Sequence, residues 1–275
     1  MPSRPETVRA IAVHEFRAAA RGRIVHAFTL LFAGLAVGIA IAGLGASGHL
    51  HVQSFSRTGA SLLTLALYLL PLLGLLLGAG EFGDDDGMEL LIAQPIRRND
   101  ALVGRLLGLA ATLAAVALAG FGAAAIVIAI GAGGAGIAGY ALVAGVGLLA
   151  GFAGLTLGAL VGACCRRRGT AVGWALALWL GAAVLYDLAA IAILQLTGNG
   201  RPGPALVALL AFNPIDGLRA LALVGLGADV LLGPAGAALR QLLGGSTAAC
   251  VLGAALAWIG LPVVALARAY SRRDF

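Results

Sequence analysis

The sequence predicts an all-α, polytopic membrane protein, and three observations carry that reading. The chain of 275 residues is 61% hydrophobic and 11% charged, with a mean hydropathy of +1.01, whereas a soluble domain carries about 25% charged residues. So little polar surface cannot cover a water-facing sphere, which excludes an ordinary globular enzyme. Six apolar stretches are also long enough to cross a bilayer, whose hydrocarbon core of about 30 Å needs roughly 20 residues at a rise of about 1.5 Å each. Finally, the charge is sided. All 18 basic residues are arginine. With both termini in the cytoplasm, fourteen of them (Arg4, Arg9, Arg17, Arg21, Arg23, Arg97, Arg98, Arg105, Arg166, Arg167, Arg168, Arg268, Arg272 and Arg273) fall on that side. Only Arg57, Arg201, Arg219 and Arg240 fall on the other, a strong positive-inside asymmetry. This sidedness explains the pI near 10.0 better than nucleic-acid binding, since no basic run is interleaved with aromatics. Glycine is abundant (42) without a collagen period, and three cysteines make no disulfide framework.

In chain order, Glu6–Arg23 sets Val8, Ile11, Ala12, Glu15 and Phe16 at helical spacing, with Arg9, Arg17 and Arg21 elsewhere. It reads as an amphipathic helix on the cytoplasmic leaflet, with a flexible basic tail as the alternative. The six spans follow at about Ile24–Ala46, Ser61–Gly80, Leu102–Ile130, Ile137–Ala163, Ala171–Leu196 and Thr247–Ala267. The first is no cleaved signal peptide, because polar and basic residues precede it at length. In the fourth span, Gly147, Gly151, Gly154, Gly158 and Gly162 share one helical face. Such a stripe lets backbones approach closely, within the chain or across a dimer. Between the last two spans, residues 197–246 hold apolar pieces too short to cross, Leu206–Phe212 and Leu218–Leu232, broken at Asn213-Pro214 and Pro234. These predict re-entrant or interfacial helices on the outer side. Two further spans are the competing reading, and Asp216, Arg219 and Asp229 would be costly inside them.

Few residues here could carry chemistry. Asp187 lies alone in the fifth span beside Tyr186, which makes neither a carboxylate pair nor a proton relay. No G-x-S-x-G, H-E-x-x-H or P-loop pattern occurs. No catalytic residue is therefore expected, and ATP binding would fall to another subunit. His49 and His51 could join a copper or zinc site, but two loop histidines are an incomplete one, so no metal is assigned. Cys164-Cys165 beside Arg166–Arg168 read as ordinary reduced thiols, and Cys250 as a small packing residue. The acidic run Asp84–Asp86 before Gly87 is similar to the metal site of lipid phosphatidyltransferases. Gly83 and Leu90-Leu91 depart from that pattern.

The loop Glu81–Asp100 is more informative. Asp86 can cap a short helix whose Met88, Leu91 and Ile92 form an apolar face. Pro95 ends it, and Arg97 and Arg98 anchor the return to the membrane. Such a helix outside the bilayer wants a partner groove. Glu81, Gly87, Glu89, Leu90, Leu91, Pro95, Arg98 and Gly104-Arg105 resemble the corresponding loop of ABC-2 type transporter permeases, with Asp86-Gly87 where that family usually has Gly-Thr. The resemblance implies one permease domain over residues 1–275 in the bacterial inner membrane, with Glu81–Arg98 coupling it to a cytoplasmic ATPase. It also implies that ATP and magnesium are bound by the ATPase subunit and that this chain holds no cofactor.

A second signature lies at Asn213, Pro214, Asp216 and Arg219, followed by the tail Ser271–Phe275. It resembles the branch of the family that serves nitrous oxide reductase maturation. That resemblance implies a homodimer with two ATPase subunits, a periplasmic β-helical partner docked near Asn213–Arg219, and a role in copper-site assembly. The work would be movement of a copper or sulfur species, or a relay of motion. The alternatives are an exporter of lipid, polysaccharide or drug and, more remotely, a phosphatidyltransferase using Asp84–Asp86. On Asn213–Arg219, a capped helix serving only the fold weighs equally with docking.

Overall fold

The computed structural model describes residues 4–45, 52–83, 97–132, 137–165, 167–189, 192, 203–228, 240–241 and 246–272. Within them the chain is helical apart from short turns and contains no strand. Helix α1 (Arg4–Ala20) precedes α2 (Arg23–Gly45), α3 (Val52–Phe82), α4 (Arg98–Ala132) and α5 (Ile137–Cys164). Helix α6 (Arg168–Leu180) runs into a π-helical turn, Gly181–Leu185. Two short helices follow, α7 (Gly203–Phe212) and α8 (Pro214–Gly225), and then α9 (Ser246–Arg272).

Six helices among the described residues are long and apolar enough to cross a membrane: α2, α3, α4, α5, α6 with its π turn, and α9. They fall on the six expected stretches. Two begin earlier than hydropathy places them, α3 at Val52 and α4 at Arg98. Hydropathy marks the part that lies in hydrocarbon, whereas a helix continues while its polar groups find partners. Ser61 Oγ donates to Arg57 O at 3.2 Å and Thr64 Oγ1 to Ala60 O at 2.9 Å, so the hydroxyls where the expected span opens are absorbed by the turn of helix that precedes it.

The core is built on α3 and α5. Leu63, Leu67, Leu70 and Leu73 of α3 are fully buried, with Val143 and Leu155 of α5 and Leu109 and Leu113 of α4. The glycine stripe faces α3 of the same chain. A Cβ on Gly158 would stand 2.7 Å from Leu75 Cα, one on Gly154 2.9 Å from Pro71 Cα, and one on Gly162 2.9 Å from Ala79 O. Gly147 and Gly151 are looser, with Ala66 Cβ and Leu113 Cδ2 each at 3.0 Å. Backbone therefore lies on backbone along this seam, and dispersion contacts replace the hydrophobic drive that lipid does not supply. Phe32 of α2, Phe121 of α4 and Tyr140 of α5 tie the other side together. Their rings meet edge to face at 5.2 and 5.9 Å, and the Tyr140 hydroxyl donates to Phe121 O.

Leu30 and Ile41 of α2, Leu176 and Leu188 of the fifth span and Leu261 of α9 are exposed. In a membrane-spanning chain such faces meet lipid or another protein. Cys250, expected to pack inside, is one of these outward residues. A thiol costs little in that position because it behaves as a small hydrophobe.

Candidate functional site

Two polar clusters stand out, one at the end of α3 that carries Glu81 and Phe82 and one beside its middle, at Tyr68. At the arginine-rich end, Arg105 of α4 is 5% exposed. Its Nε donates to Glu15 Oε1 of α1 at 2.8 Å and its Nη2 to Glu81 O of α3 at 2.7 Å. The Glu81 carboxylate lies 3.9 Å away, and the guanidinium sits 4.8 Å over the Phe82 ring. The rigid fork of donors suits arginine to this task. One side chain thus joins α1, the end of α3 and the start of α4.

Helix α1 can lie this close because α4 offers it two glycines. A Cβ on Gly104 would stand 2.8 Å from the Ile11 side chain, and one on Gly108 2.6 Å from Glu15 Cβ. Arg4 Nε reaches Asp100 Oδ1 at 2.8 Å. The face Val8, Ile11, Ala12, Glu15 and Phe16 therefore meets α4, where the sequence alone places it on a leaflet.

Glu81 and Arg98 bracket the loop read as ATPase-coupling, and Arg97 and Arg98 are exposed. Asp86, Met88, Glu89, Leu90, Leu91, Ile92 and Pro95 lie outside the described residues, as do His49 and His51. Cys164 is exposed and Cys165 half-buried. Among the described residues no group of three or more His, Cys, Asp or Glu side chains gathers as a metal site.

At the second cluster the chain breaks at Asn213, which is 2% exposed and caps α8. Its Oδ1 accepts from Ile215 N at 3.0 Å, with Pro214 in the first turn. Its Nδ2 donates to Asp216 Oδ2 and to Ala182 O of the π turn, both at 2.8 Å. Tyr68 of α3 donates to the next carbonyl, Ala183 O, at 3.5 Å. A π turn redirects backbone carbonyls and is frequent at functional positions; here α3 and α8 both take hold of it.

Arg219 completes the cluster. Its Nη1 lies 3.4 Å from Asp216 Oδ1 and 3.5 Å from Asp187 Oδ2. Its Nη2 donates to the Tyr68 hydroxyl at 3.1 Å, and Trp179 Nε1 donates to Tyr68 O at 3.0 Å. Asp187, solitary in the sequence, therefore shares an arginine with a second carboxylate, which corrects the reading of it as an isolated group. The side chains of Asn213, Asp216 and Arg219 turn into the fold toward α3 and α6. Tyr68 and Trp179 were not singled out from the sequence. The available signal was Asp187 itself, since a carboxylate in a span requires a cation and neighbouring donors.

Burial, and then the neighbouring Asp187, push the Asp216 carboxyl from 3.8 up to about 6, against the opposing pull of Arg219 and Asn213. A raised folded value means that the folded state favours the proton. This contribution to stability is complete below 3.8 and is lost as pH rises through about 6. The detergent-solubilised protein is therefore expected to lose Tm across that window, and Asp216→Asn to flatten the loss. Identical pH profiles for the two proteins would contradict the assignment.

Helix α3 belongs to both clusters, through Tyr68 at one and Glu81 and Phe82 at the other. Thirteen residues separate Tyr68 from Glu81, about 20 Å along the helix. Arg105 holds the foot of this rod, Arg219 its middle, and the glycine seam stiffens it against α5.

A six-span helical subunit with one polar clamp at the foot of α3 and another beside its middle fits a transporter's membrane component. The chain belongs to the ABC-2 family of transporter proteins, whose family model matches residues 9–275. It is 34% identical to the probable ABC transporter permease protein NosY of Stutzerimonas stutzeri, over 96% of this chain and 97% of that protein. It is 37% identical to the probable ABC transporter permease protein NosY of Pseudomonas aeruginosa, over 78% of this chain and 81% of that one. The chain is accordingly an ABC transporter permease subunit that crosses the membrane several times.

Proposed function

We propose that this permease serves the maturation of the copper site of nitrous oxide reductase, and that its work is to relay ATP-driven motion across the inner membrane. The similarity to two NosY permeases supports the first part. The observation that carries the second is the bond of α3 to both clusters, through Arg105 to Glu81 O and through Arg219 to Tyr68. Two copies of the chain pair with two cytoplasmic ATPase subunits, which bind ATP and magnesium and press on the loop between Glu81 and Arg98. Arg105 passes that displacement to α3 and α1 together. At the middle of α3, Tyr68 and Arg219 pass it to α8. The Asn213–Arg219 segment has its side chains turned inward, so it acts as the fastening of α8, and a periplasmic β-helical partner is reached from the exposed end of that helix at Gly225. Movement of a copper or sulfur species through the dimer would use the same relay.

The test is genetic and spectroscopic. Reductase purified from cells lacking this chain should be without the visible absorption of its copper site, and the chain supplied in trans should restore it. Reductase with its full copper complement in the deletion strain would overturn the assignment.

A further inference from the structure

A cavity of about 570 Å³ lies among the membrane-spanning helices, within the roughly 300–1,000 Å³ usual for ligand pockets. Helices α3, α5, α6 and α9 line it, and the turn 212–215 forms part of its wall. The chain contains three tryptophans, and all of them, Trp174, Trp179 and Trp258, line this space. Tyr186, Phe212 and Trp258 form a ladder along one wall, with Phe212 stacked on Tyr186 at 6.2 Å and edge-on to Trp258 at 6.3 Å.

The polar atoms of the wall are turned away or occupied. Tyr186 donates to Leu209 O at 2.7 Å, Trp258 Nε1 to Ala211 O at 3.4 Å and Trp179 Nε1 to Tyr68 O at 3.0 Å. Asn213 spends its amide on Ala182 O and Asp216. What faces the space is therefore hydrocarbon and ring surface, which offers nothing to an ion, a sugar or a thiol compound. Trp174 and Phe212 on its margin are 59% and 69% exposed. The spans on either side, α6 and α9, are among the least buried of the six, which leaves the opening accessible to bilayer hydrocarbon.

We propose that this cavity is a lipid site, occupied by one acyl chain of a bilayer phospholipid inserted between α6 and α9. The chain lies against Gly181 and Ala182 of the π turn and against Asn213, so it braces the contact that fastens α8 to the fifth span. This inference does not depend on the reductase assignment, since it rests on the lining of the cavity and not on the chain's relatives.

Trp179 and Trp258 report on the cavity directly once the exposed Trp174 is replaced. The full-length Trp174→Phe protein is reconstituted in phosphatidylcholine vesicles containing increasing amounts of phosphatidylcholine brominated on its acyl chains. Tryptophan emission should be quenched with a saturating dependence on the brominated fraction. Adding Ala177→Phe, which places a ring in the cavity from the exposed side of α6, should cut the quenching by about half, because the added volume displaces the chain. Native mass spectrometry of the unaltered protein should retain one phospholipid per chain. Quenching that is absent, or that Ala177→Phe leaves unchanged, would overturn the proposal; so would a second copy of the protein found to seal the opening. If Ala177→Phe does not reach the membrane, a native spectrum without bound phospholipid has the same force.

Discussion

Arg105→Ala should cost the protein more than any other single charge removal among the described residues. Glu15 would be left as a buried carboxylate without its cation, and breaking a buried pair from one side costs about 3–5 kcal/mol. The loss is wider than one pair, because the guanidinium also holds Glu81 O and covers Phe82. Helix α1 should detach from α4, seen as faster hydrogen exchange and proteolysis within residues 4–20, while the six spans still insert. In the assembled transporter, ATP hydrolysis should continue uncoupled from the permease. Arg105→Lys should not rescue it, since an ammonium on a flexible stem cannot serve Glu15 and Glu81 O in the same fork. Glu15→Gln is expected to be milder, as it leaves no buried charge unpaired on the α1 side.

Gly158→Leu is expected to abolish accumulation of the folded protein. Even the first added carbon would meet the Leu75 backbone at 2.7 Å, and a backbone cannot step aside as a side chain can. Overpacking a core by a few methylenes typically costs about 1–3 kcal/mol, and here the α3–α5 seam must open along its length to make room. Gly154→Leu should behave alike against Pro71. Gly145 provides the control on the same helix, because nothing lies within 4 Å of a Cβ there; Gly145→Leu should express and unfold like the parent. Size-exclusion yield and Tm of the three proteins in detergent decide the matter. Comparable yields for Gly158→Leu and Gly145→Leu would refute the claim that the seam is backbone on backbone.

The six spans were legible because hydropathy reports a single physical fact, removal from water, and each stretch satisfies it at bridging length. The break at Asn213-Pro214 was legible for a different reason: an N-cap side chain followed by a residue without an N–H leaves the backbone few options. The glycine stripe was legible as a stripe but not in its direction. With apolar residues on every side, a membrane helix does not reveal which face meets protein and which meets lipid. Helix α1 illustrates the same limit. Its face is plain in the sequence, but Gly104 and Gly108, some ninety residues away, determine that it meets α4. Tyr68 and Trp179 carried no signal of their own beyond the demand that Asp187 makes for donors, since aromatic residues in a span are ordinary and their value here depends on the π turn opposite. Glu15, Arg105 and Glu81 stand far apart in sequence, and only the packing of α1 and α3 against α4 brings them together.

In the proposed relay, α3 carries displacement from the Arg105 cluster to α8 through Tyr68 and Arg219. Hydrogen exchange of the amides in residues 214–225 tests it most directly, measured in the permease–ATPase complex with and without ATP, because exchange reports local opening in just this range of stabilities. In the parent protein ATP should change the protection of α8. In Tyr68→Phe, which keeps the ring but removes the hydroxyl bound by Arg219, that response should largely vanish while ATP hydrolysis continues. An α8 that ignores ATP in the parent, or that responds equally in Tyr68→Phe, would contradict the account.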